Sequence, residues 1–161
     1  CRDSIMSNYF RFYQSEFNPA GLTGQVGGAI GTTELTQSLS EVFAPRDSSA
    51  LGELNQYRKL FVYQALSGSF TNLQLHLENV EYTSQVSVTP EVFNSDMAAS
   101  PLQLPTGQTV AIYTGDSDTF LSLGTSESGS AYGFWMRQLL PTEVGNDSSA
   151  SFILQVKGDK V

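Results

Sequence analysis

The chain offers few side chains for nucleophilic catalysis. Its single histidine is His76 and its single cysteine is Cys1. A serine or cysteine nucleophile of the triad type needs an imidazole base, which His76 alone would have to supply. Its neighbours Leu75 and Leu77 alternate with polar residues, and this spacing puts His76 on the polar face of a strand. No Gly-x-Ser-x-Gly elbow is present. We therefore predict a surface histidine, no catalytic residues and no enzymatic activity.

The carboxylates give no stronger signal for a metal or an acid–base pair. Zinc sites require several His or Cys ligands, which the chain lacks. Asp116 and Asp118 share a turn that Asp96 or Glu127 could approach, but the spacing does not match a calcium-binding EF-hand loop, and an Asx turn explains the pair more simply. No spacing pairs the glutamates as a glycosidase dyad requires. We expect no metal and no cofactor. The glutamates considered are Glu16, Glu53, Glu78 and Glu81.

Aromatic residues suggest a carbohydrate-binding platform as an alternative. Exposed rings on a β-sandwich can stack against sugars, but Trp135 lies between Phe134 and Met136 and is better explained as core. The candidates for such a platform are Tyr82, Tyr113, Tyr132 and Trp135.

The charge distribution argues against nucleic-acid and membrane partners. The 161 residues carry a formal net charge of −8, and the longest basic run is Arg58-Lys59. Phosphate backbones and anionic lipids attract clustered Lys and Arg instead. We expect Arg58 and Lys59 to hold charges at the margin of a strand.

Two segments near the amino-terminal end invite specific interpretations. Cys1 could be the lipidated residue of a lipoprotein, but Met6-Ser7-Asn8-Tyr9 is typical of a translation start, so we interpret residues 1–5 as a leader. Residues 21–31 hold five glycines, but they lack both the Gly-Lys-Ser/Thr ending and the GxGxxG spacing of phosphate-binding loops. We interpret this segment as a loop or an irregular edge strand.

The strand that we place at the centre of the fold is Tyr57–Gln64. Large apolar groups occur on both of its faces, which predicts a strand covered on both sides. Leu35, Leu39, Val42 and Phe43 predict one short helix over 33–43, which Pro45 ends. Further strands are predicted over 9–17, 70–79, 84–90, 108–114, 120–123, 131–140 and 151–157.

About eight strands separated by turn-rich loops, with at most one short helix, predict an all-β fold. The spacing favours an antiparallel β-sandwich, Ig-like or jelly-roll. We divide the chain into residues 1–32, a leader, strand or arm with the Gly-rich segment, and residues 33–161, the sandwich domain.

Several segments together resemble tailed-bacteriophage virion structural proteins. The Gly27–Ile30 stretch precedes a short hydrophobic segment and a loop with glycine and acidic residues. A Tyr-Arg-Lys strand at 57–59, an aromatic-x-Arg strand at 135–137 and a closing Phe-x-Leu-x-Val-x-Gly-Asp strand at 152–159 follow. The resemblance covers residues 27–64 and 131–159. Leu60 stands where the group often has a cysteine.

The resemblance implies a non-enzymatic particle component located in the virion. It favours a capsid decoration or cement subunit that forms a homo-oligomer and binds the major capsid protein or other virion proteins. A neck or tail accessory protein is the alternative. An aromatic arm at residues 7–17 and the Gly-rich segment at 18–32 would then contact neighbouring subunits, although we favour an ordinary strand of the sandwich for residues 9–17. The residues predicted to contact a partner are Tyr9, Phe10, Phe12, Leu22 and Val26.

Overall fold

The computed structural model describes residues 9–19, 24–35, 54–78, 86–90, 96–102, 105, 113–114, 120–140 and 153–161. Its regular elements are β-strands, in line with the predicted all-β class. The strands are β1 (Phe10–Phe17), β2 (Val26–Glu34), β3 (Leu54–Gln64), β4 (Phe70–Glu78), β5 (Val86–Pro90), β6 (Met97–Ala98), β7 (Tyr113–Thr114), β8 (Phe120–Ser126), β9 (Ala131–Leu140) and β10 (Ile153–Lys160).

The strands form two antiparallel sheets. The first has seven strands in the order β6-β2-β1-β3-β9-β5-β7, and the second has three in the order β10-β4-β8. β3 is therefore the middle strand of the larger sheet. It pairs with β9 without interruption from Leu54↔Leu140 to Tyr63↔Ala131. This arrangement is consistent with the predicted β-sandwich.

Both faces of β3 are buried, which confirms the prediction of a central strand covered on both sides. Leu60 and Val62 lie on one face, and Lys59 and Phe61 lie on the other. All four are at most 1% exposed. Burial on both faces explains why apolar residues are not confined to alternate positions here.

The main hydrophobic core fills the space between the two sheets. Leu60 and Phe134 enter it from the first sheet, and Leu73, Leu75 and Leu121 enter it from the second. The inward positions of Leu73 and Leu75 agree with the alternation in β4, because both are fully buried, but His76 on the other face of this strand is buried as well. The remaining buried members are Phe10, Val62, Phe70, Val88, Met136 and Val156.

A second, smaller core lies on the other face of the first sheet. It holds Val26 of β2, Ala98 of β6 and Trp135 of β9, with Tyr57 packed against them. β2 lies close to β3 and β9 although its hydrogen-bonded neighbours are β1 and β6. The sheet therefore curls so that its β2–β6 edge covers the second face of β3 and β9.

The structure corrects several local predictions. The glycine-rich segment contributes β2, an interior strand between β1 and β6, rather than a loop or an edge strand. β6 lies in a segment for which no strand was predicted. The predicted helix over 33–43 is wrong at its start, because Thr33 and Glu34 belong to β2. The boundary predicted between residues 32 and 33 falls inside that same strand.

Some predictions fall on residues outside the described ranges. These are the leader at 1–5, the rest of the helix at 36–43, the start of the strand at 108–112, and the turn that holds Asp116 and Asp118. In the described ranges, no helix has the length and apolar character needed to cross a membrane.

Candidate functional site

Among the described residues, a buried ion pair lies at the centre of a dense group of polar contacts. Lys59 Nζ lies 2.7 Å from Asp96 Oδ1, and both side chains are 0% exposed. Lys59 Nζ also donates to the main-chain oxygen of Gly28 at 3.1 Å. Its ammonium group lies 4.8 Å from the ring centroid of Phe61, a cation–π distance. The cation is thus held by a carboxylate, a carbonyl and an aromatic face.

Trp135 binds the carboxylate of this ion pair. Its indole Nε1 donates to Asp96 Oδ1 and Oδ2, each at 3.2 Å. The main chain of Asp96 contributes as well, since its carbonyl accepts from the amide of Gly28 at 2.8 Å. We call Lys59, Asp96, Trp135 and Gly28 the Lys59–Asp96 cluster.

The register of the sheet brings these residues together. Lys59 and Trp135 are direct cross-strand partners in the β3–β9 ladder. Asp96 immediately precedes β6, whose Met97 pairs with Gly27 of β2. A Cβ at Gly27 would lie 2.6 Å from the Asp96 carbonyl oxygen and 2.8 Å from the Trp135 ring, so only glycine allows this approach. Its φ of +107° also favours glycine.

The geometry limits what the cluster can do chemically. Neither charged side chain has solvent-accessible area, so a dissolved substrate has no route to them in this conformation. An isolated buried charge is strongly unfavourable, but the two opposite charges and the surrounding donors compensate each other. The cluster joins β2, β3, β9 and the segment that enters β6, which is a structural task.

Arg58 points to the opposite face of β3 and is also buried, at 1% exposure. It donates to the main-chain oxygens of Tyr57 at 3.1 Å and Pro19 at 3.3 Å. Burial lowers the pKa of the Arg58 guanidinium to about 10, because the charged form loses hydration. The prediction that Arg58 and Lys59 hold charges at the margin of the strand is therefore wrong for both residues.

His76 is buried at 6% exposure, which corrects the prediction of a surface histidine. Its ring lies 5.3 Å from that of Phe120, and its Nε2 is 3.0 Å from Gln74 Oε1. Contacts with an amide and an aromatic ring are typical of a packed side chain.

The residues predicted to contact a partner are divided between core and rim. Phe10 is 5% exposed and Val26 is fully buried, so both pack inside the chain. Tyr9 and Phe12 are partly buried against the main core. Leu22 lies outside the described residues. A role for these residues in partner contact stays a prediction.

A cleft of about 470 Å³ lies where the β3–β4 and β8–β9 turns meet. Tyr132, one of the predicted platform aromatics, lines it together with Glu127 and several hydroxyl side chains. The Tyr132 hydroxyl donates to the carbonyl of Thr125. The side-chain amide of Gln64 stabilises the β3–β4 turn by donating to the carbonyls of Leu66 and Gly68 at 2.9 and 2.7 Å. The hydroxyl residues are Ser69, Thr71, Thr125, Ser126 and Ser130.

The structure describes the side chain of one other platform candidate, Trp135. Trp135 is fully buried, which confirms its prediction as core. Tyr82 lies outside the described residues, and Tyr113 belongs to β7 of the first sheet. No three His, Cys, Asp or Glu side chains are grouped as metal ligands in the part of the chain that the structure describes.

Sequence reasoning considered Asp96 only as a possible calcium ligand and missed its pairing with Lys59. One signal was present in the sequence. A lysine on the same face as Tyr57, Phe61 and Tyr63 of a strand covered on both sides requires a buried counter-charge. Nothing in the local sequence of Asp96 indicates that it supplies this charge.

Comparisons with known proteins found no relative of this chain. No protein-family model matches the chain, and searches of curated proteins and of solved structures found no match.

Proposed function

We propose that this chain is a non-enzymatic structural subunit of a tailed-phage particle, most directly a capsid decoration or cement protein. It would act through protein–protein contacts with the major capsid protein or other virion proteins. A neck or tail accessory role is the alternative position within the particle.

The observation that supports the proposal best is the way the resembling segments meet in space. The Tyr-Arg-Lys strand at 57–59 and the aromatic-x-Arg strand at 135–137 are far apart in the sequence. In the structure they are adjacent strands in continuous register, with Tyr57 opposite Arg137 and Lys59 opposite Trp135. Two of the segments that carry the resemblance therefore form one physical unit at the centre of the larger sheet, while the closing strand belongs to the second sheet.

The chemistry of this unit agrees with a structural role. Two of its charged residues are turned inward, where Lys59 pairs with Asp96 and Arg58 binds main-chain carbonyls. Exposed apolar side chains are instead found towards the strand ends, including Phe17, Met97 and Phe120. Such a distribution suits a subunit whose interior is fixed and whose edges make contacts.

The experiment is to purify particles of a phage that carries this gene and to analyse them by mass spectrometry and electron microscopy. The proposal predicts the chain in purified particles at a stoichiometric level, with antibody labelling on the capsid surface. Labelling confined to the neck or tail would select the accessory role. Absence of the chain from particles would contradict both.

A carbohydrate-binding module is a second proposal, and the cleft beside Tyr132 favours it. The cleft volume of about 470 Å³ lies within the range of small-ligand sites, and its lining combines hydroxyls, a carboxylate and aromatic residues. Glycan-array binding that is lost in Tyr132→Ala but kept in Tyr63→Ala would support it. An array without binding to the wild-type protein would contradict it.

A further inference from the structure

We propose that the side chains of Lys59 and Asp96 become joined by an amide bond, so that the Lys59–Asp96 cluster is a site of covalent self-modification. This inference rests on the geometry of the cluster and does not depend on the proposed function.

The reacting groups are already in contact and held from several sides. Lys59 Nζ lies 2.7 Å from Asp96 Oδ1, which places the nitrogen beside the carboxyl carbon. The Gly28 carbonyl fixes the amine, and the Trp135 indole fixes both carboxyl oxygens. Reactants held in this way reach effective concentrations on the order of 10⁵–10⁸ M.

The reaction needs an amine and a carboxylic acid. Transfer of one proton from Lys59 Nζ to Asp96 Oδ1, which lie 2.7 Å apart, supplies both without leaving an unpaired charge. The amine lone pair of Lys59 then attacks the carboxyl carbon of Asp96. Trp135 Nε1 is placed to donate to the oxygen on which negative charge develops.

The step is balanced without any other reactant. One N–C bond forms and one C–O bond of the carboxyl group breaks. The leaving oxygen takes two protons, one from the carboxylic acid and one from the amine nitrogen, and departs as water. No atom is oxidised or reduced. The product is a neutral amide in place of two buried charges, and the exclusion of water from the site opposes hydrolysis.

The measurement is denaturing mass spectrometry of the full chain, followed by peptide mapping. The proposal predicts an intact mass lower than the sequence mass by one water. Trypsin cuts after Lys and Arg, and none of these lies between Lys59 and Arg137. A free Lys59 therefore yields a peptide that begins at Leu60, whereas an acylated Lys59 resists cleavage and yields one that begins at Lys59 and lacks one water.

A second protease locates the bond. Cleavage after glutamate separates Lys59 from Asp96 in a linear peptide, because Glu78, Glu81 and Glu91 lie between them. With the amide in place, the fragments that contain Lys59 and Asp96 stay joined and fragment as a branched pair. This result distinguishes the bond from loss of water within a single Asp-Ser sequence elsewhere.

Two lysine variants serve as a matched pair. Lys59→Arg keeps a cation but removes the nucleophilic amine, and it should restore the full mass. Lys160→Arg changes an exposed lysine and should still lack one water. If Lys59→Arg does not fold, the wild-type peptide map still decides. A folded wild-type protein of full mass after prolonged incubation, with ready tryptic cleavage after Lys59, would overturn the proposal.

Discussion

At the scale of single residues, the complete burial of Lys59 is the most unusual feature of the described structure. It occupies the middle of an otherwise aromatic strand face and has no exposed area. A buried ammonium group needs compensation by charge and hydrogen bonds, and Asp96 and Gly28 provide both. The position of the β2–β6 edge therefore depends on the contacts that the Lys59 side chain makes with Asp96 and Gly28.

Removal of Lys59 tests this dependence. Lys59→Met leaves the Asp96 carboxylate buried without its cation, and we expect the free energy of unfolding to fall by about 3–5 kcal/mol in urea titrations. The double variant Lys59→Met/Asp96→Leu removes both charges and should recover a large part of that loss. Equal stability of the single and double variants would contradict the assignment of the loss to an unpaired charge.

Gly27 permits a second prediction at this scale. Gly27→Ala places a methyl group against the Asp96 carbonyl and the Trp135 ring at a φ of +107°. Strain and overpacking together should lower the free energy of unfolding by about 2–5 kcal/mol. Gly129→Ala is the matched control, because its φ is +89° but no atom lies within 4 Å of the added group. That control should lose about 1 kcal/mol, and similar losses in both variants would mean that contact with Asp96 and Trp135 contributes little.

Arg58 gives a pH dependence with a defined sign. Its folded-state pKa is lowered to about 10 by burial, so the folded chain releases this proton at lower pH than the unfolded chain. Above about pH 10 the unfolded state binds more protons, and rising pH then favours the folded state through this group. Relative to Arg58→Met, the wild-type protein should therefore gain stability above about pH 10 and show a constant difference near neutral pH.

The pH prediction is checked by denaturant titrations of both proteins across this range. Groups that titrate identically in both proteins cancel in the comparison. A difference that shifts in favour of Arg58→Met above about pH 10 would contradict the sign.

At the scale of elements, the segment 96–102 lies across the second face of the first sheet, and we call this segment the strap. Its main chain accepts from the Gly28 amide through Asp96 and from the Tyr57 amide through Pro101, at 2.8 and 2.6 Å. β6 itself has only two residues. Such a short strand contributes little pairing energy, so we infer that the Asp96 side chain holds the strap in place.

Hydrogen exchange of the amides tests the strap. Asp96→Asn keeps the main-chain carbonyl but weakens the contact with Lys59, and it should accelerate exchange at Gly28 and Tyr57. The amides of β3 that bond within the β3–β9 ladder serve as an internal control and should keep their protection. Unchanged exchange at Gly28 and Tyr57 would show that the strap is held without the Asp96 side chain.

The elements also show where sequence reasoning succeeds and where it stops. Two-sided apolar character predicted the position of β3, and strict alternation predicted the buried face of β4, because both patterns are local consequences of strand geometry. The role of β2 was missed because glycine carries no side-chain pattern. The contact between Lys59 and Asp96 was missed because it depends on the curl of the sheet, which no local pattern encodes.

At the scale of the whole molecule, the two cores are not independent. β3 contributes Leu60 and Val62 to the main core, while Lys59 and Phe61 face the second side. β9 alternates in the same way, with Phe134 and Met136 in the main core and Trp135 in the smaller one. Neither strand can leave one core without disturbing the other, so we expect cooperative unfolding.

The single tryptophan makes this expectation measurable, since Trp135 belongs to the smaller core and contacts Asp96. Its fluorescence reports on the curled edge, whereas far-UV circular dichroism reports on all strands of both sheets. The two signals should give the same midpoint in urea, as two-state unfolding requires. An earlier fluorescence transition would mean that the curled edge opens while the sandwich persists. In that case the Lys59–Asp96 cluster would stabilise an edge of the sheet that unfolds separately. Coincident transitions would instead place the cluster in the one cooperative unit that β3 and β9 form.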